Sequence, residues 1–346
     1  MATYRAVVVG CGDIAARHIK GWQAHPAVDL VAVADVHEAA ARRRAEEFRI
    51  GKVHTDYREM FKAERPDLVS VCVWMIAHAE VTVAAAEAGA RGILCEKPLA
   101  GSLEEVDRMI EAGRAHGAKI AVGHHGRFSR ANMEARRLIA EGAIGTPTLL
   151  HRRSGGGLLN NGSHAIDGIR YLLGDPAPVW VLGQVERRTD RHERHDPIED
   201  LCGGIVAFEG GVRAVLESDL PEPTPPGEGA LVYGTEGTLI VGREGVRLLN
   251  GQTGGWKEVA AGPGDAGVEQ AAELVDWIEG RVERHRNAAE GNRTAIEVLM
   301  GLYESARIRG VVRFPLASGP SPLRRMIEDG TLPVTAPGRY DIRIKA

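Results

Sequence analysis

Over the first 125 or so residues, short apolar runs alternate with helix-like stretches, and this alternation constrains the fold more than any other feature. Val7–Val9, Leu30–Ala34, Leu68–Val73, Ile93–Cys95 and Ile120–Val122 are the runs; Ile14–Ala24, Glu38–Phe48, Glu80–Ala88 and Leu103–Ala115 lie between them. Strands buried on both faces read as continuous valine- and isoleucine-rich runs, so the pattern predicts βαβ units around a parallel sheet. After about residue 175 the rhythm changes. Val179–Val185, Gly204–Phe208, Val212–Leu216, Ala230–Tyr233, Thr238–Val241 and Val246–Leu249 follow one another without long helices, with turn signals at Gly210-Gly211 and Asn250-Gly251. That spacing predicts a mostly antiparallel sheet.

The expected fold class is therefore α/β: an N-terminal Rossmann domain over 1–125, then an α/β domain over 126–346 with an open, mostly antiparallel sheet. Ala131–Ala140 and His164–Leu173 are the helices expected to bridge the two, and Val268–Arg284 and Arg293–Arg309 are expected as later helices. Leu274, Ile278 and Val282 form one apolar stripe on the first of these. Pro221–Pro226 reads as a proline-rich loop, and the chain from Ala317 onwards as an arm packed on another surface.

Composition narrows the function classes. A net charge of −4 gives no reason to expect nucleic acid or a membrane as partner. No run approaches the roughly 18 apolar residues of a membrane helix, and Met1–Arg5 does not read as a secretory leader. Cys11, Cys72, Cys95 and Cys202 show no paired spacing, which fits reduced thiols in a cytoplasmic protein.

Gly10-Cys11-Gly12-Asp13-Ile14-Ala15 follows the first strand and opens a helix, in the G-x-G-x-x-G/A form. The glycines allow a tight turn and a close backbone approach to a pyrophosphate seated on the helix start; a small residue at Ala15 lets helix and sheet pack. Asp35 stands about 20 residues further on, where a carboxylate accepts a ribose diol and repels a 2′-phosphate. NAD is favoured over NADP. Arg42, Arg43 and Arg44 read as a solvated helix face.

Glu96-Lys97-Pro98 closes the run Ile93–Cys95, so Lys97 emerges at a strand's carboxyl end, where open α/β sheets bind ligands. The proline fixes its own φ and pushes the lysine towards extended geometry. The second dense signal is Gly155–Asp167, with sequence GGGLLNNGSHAID. On a helix Asn160 and His164 share a face at i, i+4, with Asp167 one turn on. Gly162 inside that helix suggests close approach of something bulky, such as a nicotinamide or sugar ring; otherwise Gly162-Ser163 caps a helix starting at His164. Oxidising a secondary alcohol needs a base for the hydroxyl proton and a cation beside the developing alkoxide. Histidine and lysine suit those roles.

These pieces, with NRTAIEVLMGLYESAR at 292–307, resemble the glucose–fructose oxidoreductase / inositol dehydrogenase / MocA family of NAD(P)-dependent enzymes. The resemblance implies a Rossmann domain followed by an α/β domain whose sheet forms homodimers or homotetramers. It makes Lys97 and His164 the catalytic pair, with Asn160 beside them. It places Gly10, Gly12, Asp13, Ile14, Ala15 and Asp35 along the dinucleotide, and Glu96, Lys97 and Pro98 at the nicotinamide end. Two departures stand out. Asn160 replaces an aspartate usual in the family's polyol dehydrogenases, and Val73-Trp74-Met75 replaces Thr-Pro-Asn beside the nicotinamide ribose, although His78 fits. The Trp74 indole packs on cofactor or substrate, or on the domain interface.

His124 and Arg127 are candidate substrate contacts, with a domain-linker salt bridge as the alternative. Arg152, within His151-Arg152-Arg153, is a candidate for an anionic group, or belongs to a solvated strand end. Asp167 completes the candidate substrate set. No metal is expected. The charged run Arg187–Asp196, including His192 and His195, reads as structural or oligomer contacts. The resulting reading is a hydride transfer between NAD and a secondary alcohol or ketone of a cyclic polyol, sugar or sugar derivative. The alternatives are dihydrodiol dehydrogenation and a non-catalytic dinucleotide-sensing regulator of the same fold.

Overall fold

The computed structural model describes residues 4–194, 196–219, 229–242 and 245–336. By its internal contacts the chain divides into two compact units: the segment through Phe128 together with Asp265–Arg293, and Ser129–Gly264 together with the chain from Thr294 on.

The first unit is a Rossmann fold. Its strands are β1 (Tyr4–Val9), β2 (Val28–Ala34), β3 (Lys52–His54), β4 (Leu68–Val71), β5 (Gly92–Cys95) and β6 (Lys119–Val122). They lie in the order β3-β2-β1-β4-β5-β6, and every pair is parallel. Between them run α1 (Ala15–Ala24), α2 (Glu38–Phe48), α3 (Tyr57–Glu64), α4 (His78–Glu87) and α5 (Leu103–His116). Val8, Val33, Leu68 and Leu94 are sealed in the core, as a sheet covered on both faces requires. Ser102 caps α5 by accepting from Glu105 N–H, and Gly117 ends it with φ +70°.

The second unit opens with α6 (Arg130–Ala140), β7 (Pro147–Ser154), a single π-turn at Leu158–Gly162 and α7 (Ser163–Leu172). Then come β8 (Pro178–Glu186), a short pair β9 (His192–Glu193) and β10 (Asp196–Pro197), β11 (Leu201–Phe208) and β12 (Arg213–Ser218). β13 (Ala230–Gly234), β14 (Gly237–Val241), β15 (Gly245–Asn250) and β16 (Lys257–Ala260) follow. The chain then crosses back to the first unit as α8 (Ala266–Ile278). It leaves again along α9 (Ala289–Ile308) and ends in β17 (Val312–Arg313) and α10 (Pro322–Glu328).

Nine strands form one mixed sheet in the order β16-β15-β14-β13-β7-β12-β11-β8-β17. Only the β7–β12 pair is parallel among those described. On the inner face, Leu302 of α9 packs so tightly that a Cβ on Gly204 would lie 2.3 Å from its Cδ2. Gly210 and Gly211 have φ of +80° and +86°, making the expected turn between β11 and β12.

Three expectations need correction. The division at 125/126 gave the whole remainder to the second domain, whereas α8 and the stretch to Arg293 belong with the first unit. The helix expected over Val268–Arg284 ends at Ile278. The arm expected from Ala317 holds α10, whose Leu323 and Met326 are buried, and whose Arg324 meets Asp196 at 2.8 Å in the same unit. The expected Pro221–Pro226 loop, His195 and the end of the arm (337–346) lie outside the described residues. Among those described, no helix is long and apolar enough to cross a membrane.

Candidate active site

At the end of β1 the chain turns through Gly10, whose φ is +91°. A Cβ there would stand 2.5 Å from the Cys72 carbonyl oxygen, so both backbone angle and space demand glycine. A Cβ on Gly12 would meet no atom within 4 Å: the backbone here faces open space. The helix that follows begins with no side-chain cap and no acidic residue in its first turn, so its positive end suits an incoming anion, although the Ala15 and Arg17 N–H groups already bond the Gly12 and Ile14 carbonyls at 3.2 and 3.0 Å.

Asp35 follows β2 and is fixed by two backbone donors. Cys11 N–H donates to Oδ2 at 2.7 Å and His37 N–H to Oδ1 at 2.9 Å. Gly10, Gly12, Asp35, Arg43, Trp74 and Ile76 line a cleft of about 440 Å³ within the first unit. Val36 and Ile76 stay more than half exposed at this cleft, and Trp74 40% exposed. Bare apolar side chains beside an anchored carboxylate and an uncapped helix start suit a dinucleotide, whose rings need flat apolar cover and whose phosphates need amides. Asp13, by contrast, is fully exposed, and Ile14 is half-buried.

Arg44 was expected on a solvated face and is instead buried. Its guanidinium donates to the carbonyls of Cys11 (3.3 Å) and Gly12 (3.0 Å), bracing the glycine turn. The sequence carried a signal for this: Arg44 shares the i, i+3 stripe of the buried Ala41 and lies beside Ala45.

Lys97 follows β5, as expected, and the Lys97–Pro98 peptide is cis. Glu96 behind it is buried. Its carboxylate accepts from the Lys97 N–H at 3.1 Å and meets His18 Nε2 at 2.9 Å. The other His18 nitrogen lies 2.9 Å from Ser70 Oγ, which also accepts from the Trp22 indole at 2.7 Å. Burial pushes the Glu96 carboxyl up, but the His18 hydrogen bond and the Lys97 charge outweigh it and hold it below its usual range. Gly123 must be glycine here, since a Cβ would sit 2.5 Å from Glu96 Oε1.

His78 is buried, its ring between the carbonyls of Pro98 (2.8 Å) and Val73 (3.1 Å), tying together the chain ends that follow β5 and β4. Burial pulls its pKa down. His124 and Arg127 are also buried, and the returning segment holds both. His124 Nδ1 lies 2.7 Å from Asn292 Oδ1, and Arg127 donates to the Arg286 carbonyl at 3.2 Å. These bonds stay inside the first unit.

In the second unit, Gly156 and Gly157 both take φ of +86° and lead into the π-turn. Asn160 and His164 thus do not sit on one regular α-helix. Gly162 N–H reaches back to the Gly157 carbonyl at 3.3 Å, an i→i+5 bond, and α7 starts after it. Such turns are frequent at functional sites. Asn160 is buried and donates to the Gly156 carbonyl at 3.2 Å; His164 is half-buried. The bulky neighbour of Gly162 is Leu158, whose Cδ1 would lie 2.8 Å from a Cβ, so packing inside the turn explains this glycine without a ligand ring. Ser163 does not cap α7 but donates to the Asn160 carbonyl at 2.6 Å.

Arg152 lies on the inner face of β7. A Cβ on Gly168 of α7 would be 2.4 Å from its Nη1. Burial pulls the Arg152 pKa down, opposed by the neighbouring Asp167 carboxylate, which is itself buried. His151 and Arg153 occupy the opposite face and share Glu217, at 2.7 and 3.1 Å.

Fold and cleft together define a dinucleotide-binding protein of the Rossmann type. A family model described as "Oxidoreductase family, NAD-binding Rossmann fold" matches residues 4–124, and one described as "GFO/IDH/MocA C-terminal domain" matches residues 132–240. The chain belongs to the GFO/IDH/MocA oxidoreductases, and is an NAD(P)-dependent dehydrogenase acting on CH–OH groups. It is 31% identical over 244 residues to D-glucoside 3-dehydrogenase of Escherichia coli, spanning 62% of this chain and 69% of that one. Myo-inositol 2-dehydrogenase of Thermotoga maritima is 27% identical over 251 residues, 68% and 74% of the two chains. A solved oxidoreductase domain protein from Kribbella flavida shares the fold at a TM-score of 0.79 and 23% identity, over 91% of this chain and all of that one.

Proposed function

We propose that the protein interconverts a secondary alcohol and a ketone on a cyclic polyol, sugar or sugar derivative, with NAD as cofactor. The observation that carries this is a single sheet whose carboxyl ends present Gly10, Asp35 and Lys97 after β1, β2 and β5. When bound, NAD supplies the hydride acceptor or donor. Asp35, already anchored by two amides, presents its carboxylate to the ribose diol and disfavours a 2′-phosphate. Trp74 offers its exposed indole as apolar cover along the cleft.

Lys97 polarises the substrate oxygen, since an ammonium stabilises a developing alkoxide. His164 takes the hydroxyl proton in oxidation and returns it in reduction. Asn160, neutral, orients the hydroxyl without stabilising an imidazolium by charge. The names of relatives support the substrate class: one acts on D-glucosides, another on myo-inositol. We further infer a cytoplasmic homodimer or homotetramer formed through the nine-stranded sheet, consistent with four free, buried cysteines.

The test is turnover with NAD on inositols, pyranosides, glucosides and dihydrodiols, followed at the reduced-nicotinamide absorbance. A cyclic polyol or sugar should react, and Lys97→Ala and His164→Ala should each lower kcat roughly a hundredfold or more. Tight NAD binding without turnover on any compound would favour a sensor. Full activity in both variants would remove these residues from the mechanism.

A further inference from the structure

The glycine run before Asn160 is gripped from the sheet by two carboxylates. Three consecutive backbone amides donate to them: Gly156 to Asp219 Oδ1 at 2.7 Å, Gly157 to Asp219 Oδ2 at 2.8 Å and Leu158 to Glu199 Oε1 at 2.5 Å. Glu199 precedes β11 and has no solvent exposure; its Oε2 accepts from the Tyr303 hydroxyl of α9 at 3.0 Å. Asp219 follows β12, pairs with Arg191 at 2.7 Å and accepts from Ser218 at 2.7 Å. Arg191 in turn donates to the carbonyls of Glu199 and Asp200, both at 3.3 Å. The run Arg187–Asp196, read from the sequence as structural or oligomer contacts, contributes a buried cation to this cluster.

Gly155–Gly157 has no side chains, so only its backbone can be held. Without the two carboxylates nothing else described fixes these three amides, and the π-turn that follows would lose its starting direction. We propose that Glu199 and Asp219 are positioning residues for the reaction: by clamping these amides they aim the π-turn, and with it Asn160 and His164. The proposal rests on the role assigned above to His164.

Glutamine at 199 keeps an oxygen for the Leu158 amide and an NH2 for the Tyr303 oxygen, whereas alanine keeps neither. Glu199→Ala is therefore expected to lower kcat about tenfold or more by displacing the turn. NAD affinity should stay unchanged, and amide hydrogen exchange across 155–165 should be faster. Glu199→Gln should recover most of kcat. In a His164→Ala background Glu199→Ala should cost much less than in the parent, leaving only the part that acts through Asn160. If Glu199→Ala does not fold, Tyr303→Phe, which removes one bond to the carboxylate, carries the same comparison at smaller amplitude.

Faster exchange with unchanged kcat would overturn the positioning role, as would equal losses for Glu199→Gln and Glu199→Ala. Full activity of His164→Ala would instead sink the functional reading. The clamp would then be judged by exchange and kcat of Glu199→Ala alone.

Discussion

His285 is a buried histidine whose tautomer is dictated by its neighbours. Its Nδ1 accepts the Asn287 N–H at 2.9 Å, and its Nε2 faces the Gln270 carbonyl at 3.1 Å. A proton on Nδ1 would oppose that amide, and burial pushes the pKa down to about 4. The unfolded chain binds a proton near pH 6.5 that the folded chain refuses until about pH 4. Stability from this group is therefore complete above about pH 6.5 and is lost as pH falls to about 4, amounting to about 3 kcal/mol. Denaturant unfolding at several pH values should show this acid slope, and His285→Gln should flatten it; an unchanged slope would assign the acid sensitivity elsewhere.

Residue by residue, the sequence revealed what chemistry needs in one place and hid what geometry needs from afar. Gly10, Asp35 and Lys97 were legible because each follows an apolar run at a fixed offset. Glu199 and Asp219 were not: an acid 41 residues and another 63 residues from their amide partners has no local signature. Glu96 stood inside one recognised motif and His18 just beyond another, yet only the folded helix α1 reveals that they meet.

Helices and strands in contact explain a second tier. α1 and α8 approach so closely that a Cβ on Gly21 would stand 2.8 Å from the Gly267 carbonyl oxygen and 3.1 Å from Ala271 Cβ. Gly21→Val should separate them and destabilise the fold by roughly 1–3 kcal/mol, read as a lower unfolding midpoint. No change would mean that the two helices can shift apart freely. At this scale the short apolar runs predicted β1, β2, β4, β5 and β6 well, because burial on both faces leaves a strong imprint. β3 and α3 were missed: the one is three residues long, and the other carries charges over much of its length. β7 was legible only as a solvated strand end at His151, Arg152 and Arg153, whose pattern makes sense once Arg152 is seen facing α7 while its neighbours face outward.

For the molecule as a whole, the outer face of the nine-stranded sheet is the feature to test. Leu182 and Ile205, paired across β8 and β11, are 45% and 38% exposed, and Tyr233 on β13 is 39% exposed. Between them lies the His151–Glu217–Arg153 cluster, which offers both charge signs to a second copy. Exposed apolar side chains on either side of a polar cluster suit a self-complementary contact. Sedimentation should find a dimer or tetramer, and Ile205→Arg should yield a smaller, folded species. A monomeric parent chain would end the proposal.

The return of α8 to the first unit has a consequence for how the chain is made. Leu274 and Val275 share a core with Val8, Val33 and Leu94, yet nearly the whole mixed sheet lies between them in sequence. On a ribosome, which releases the chain from its N-terminal end, the nucleotide-binding unit stays one helix short until residues near 293 have emerged. Its apolar flank must wait uncovered through the synthesis of the second unit's sheet. Long sequence separation of this kind slows folding. The cofactor domain, first in sequence, is thus completed late.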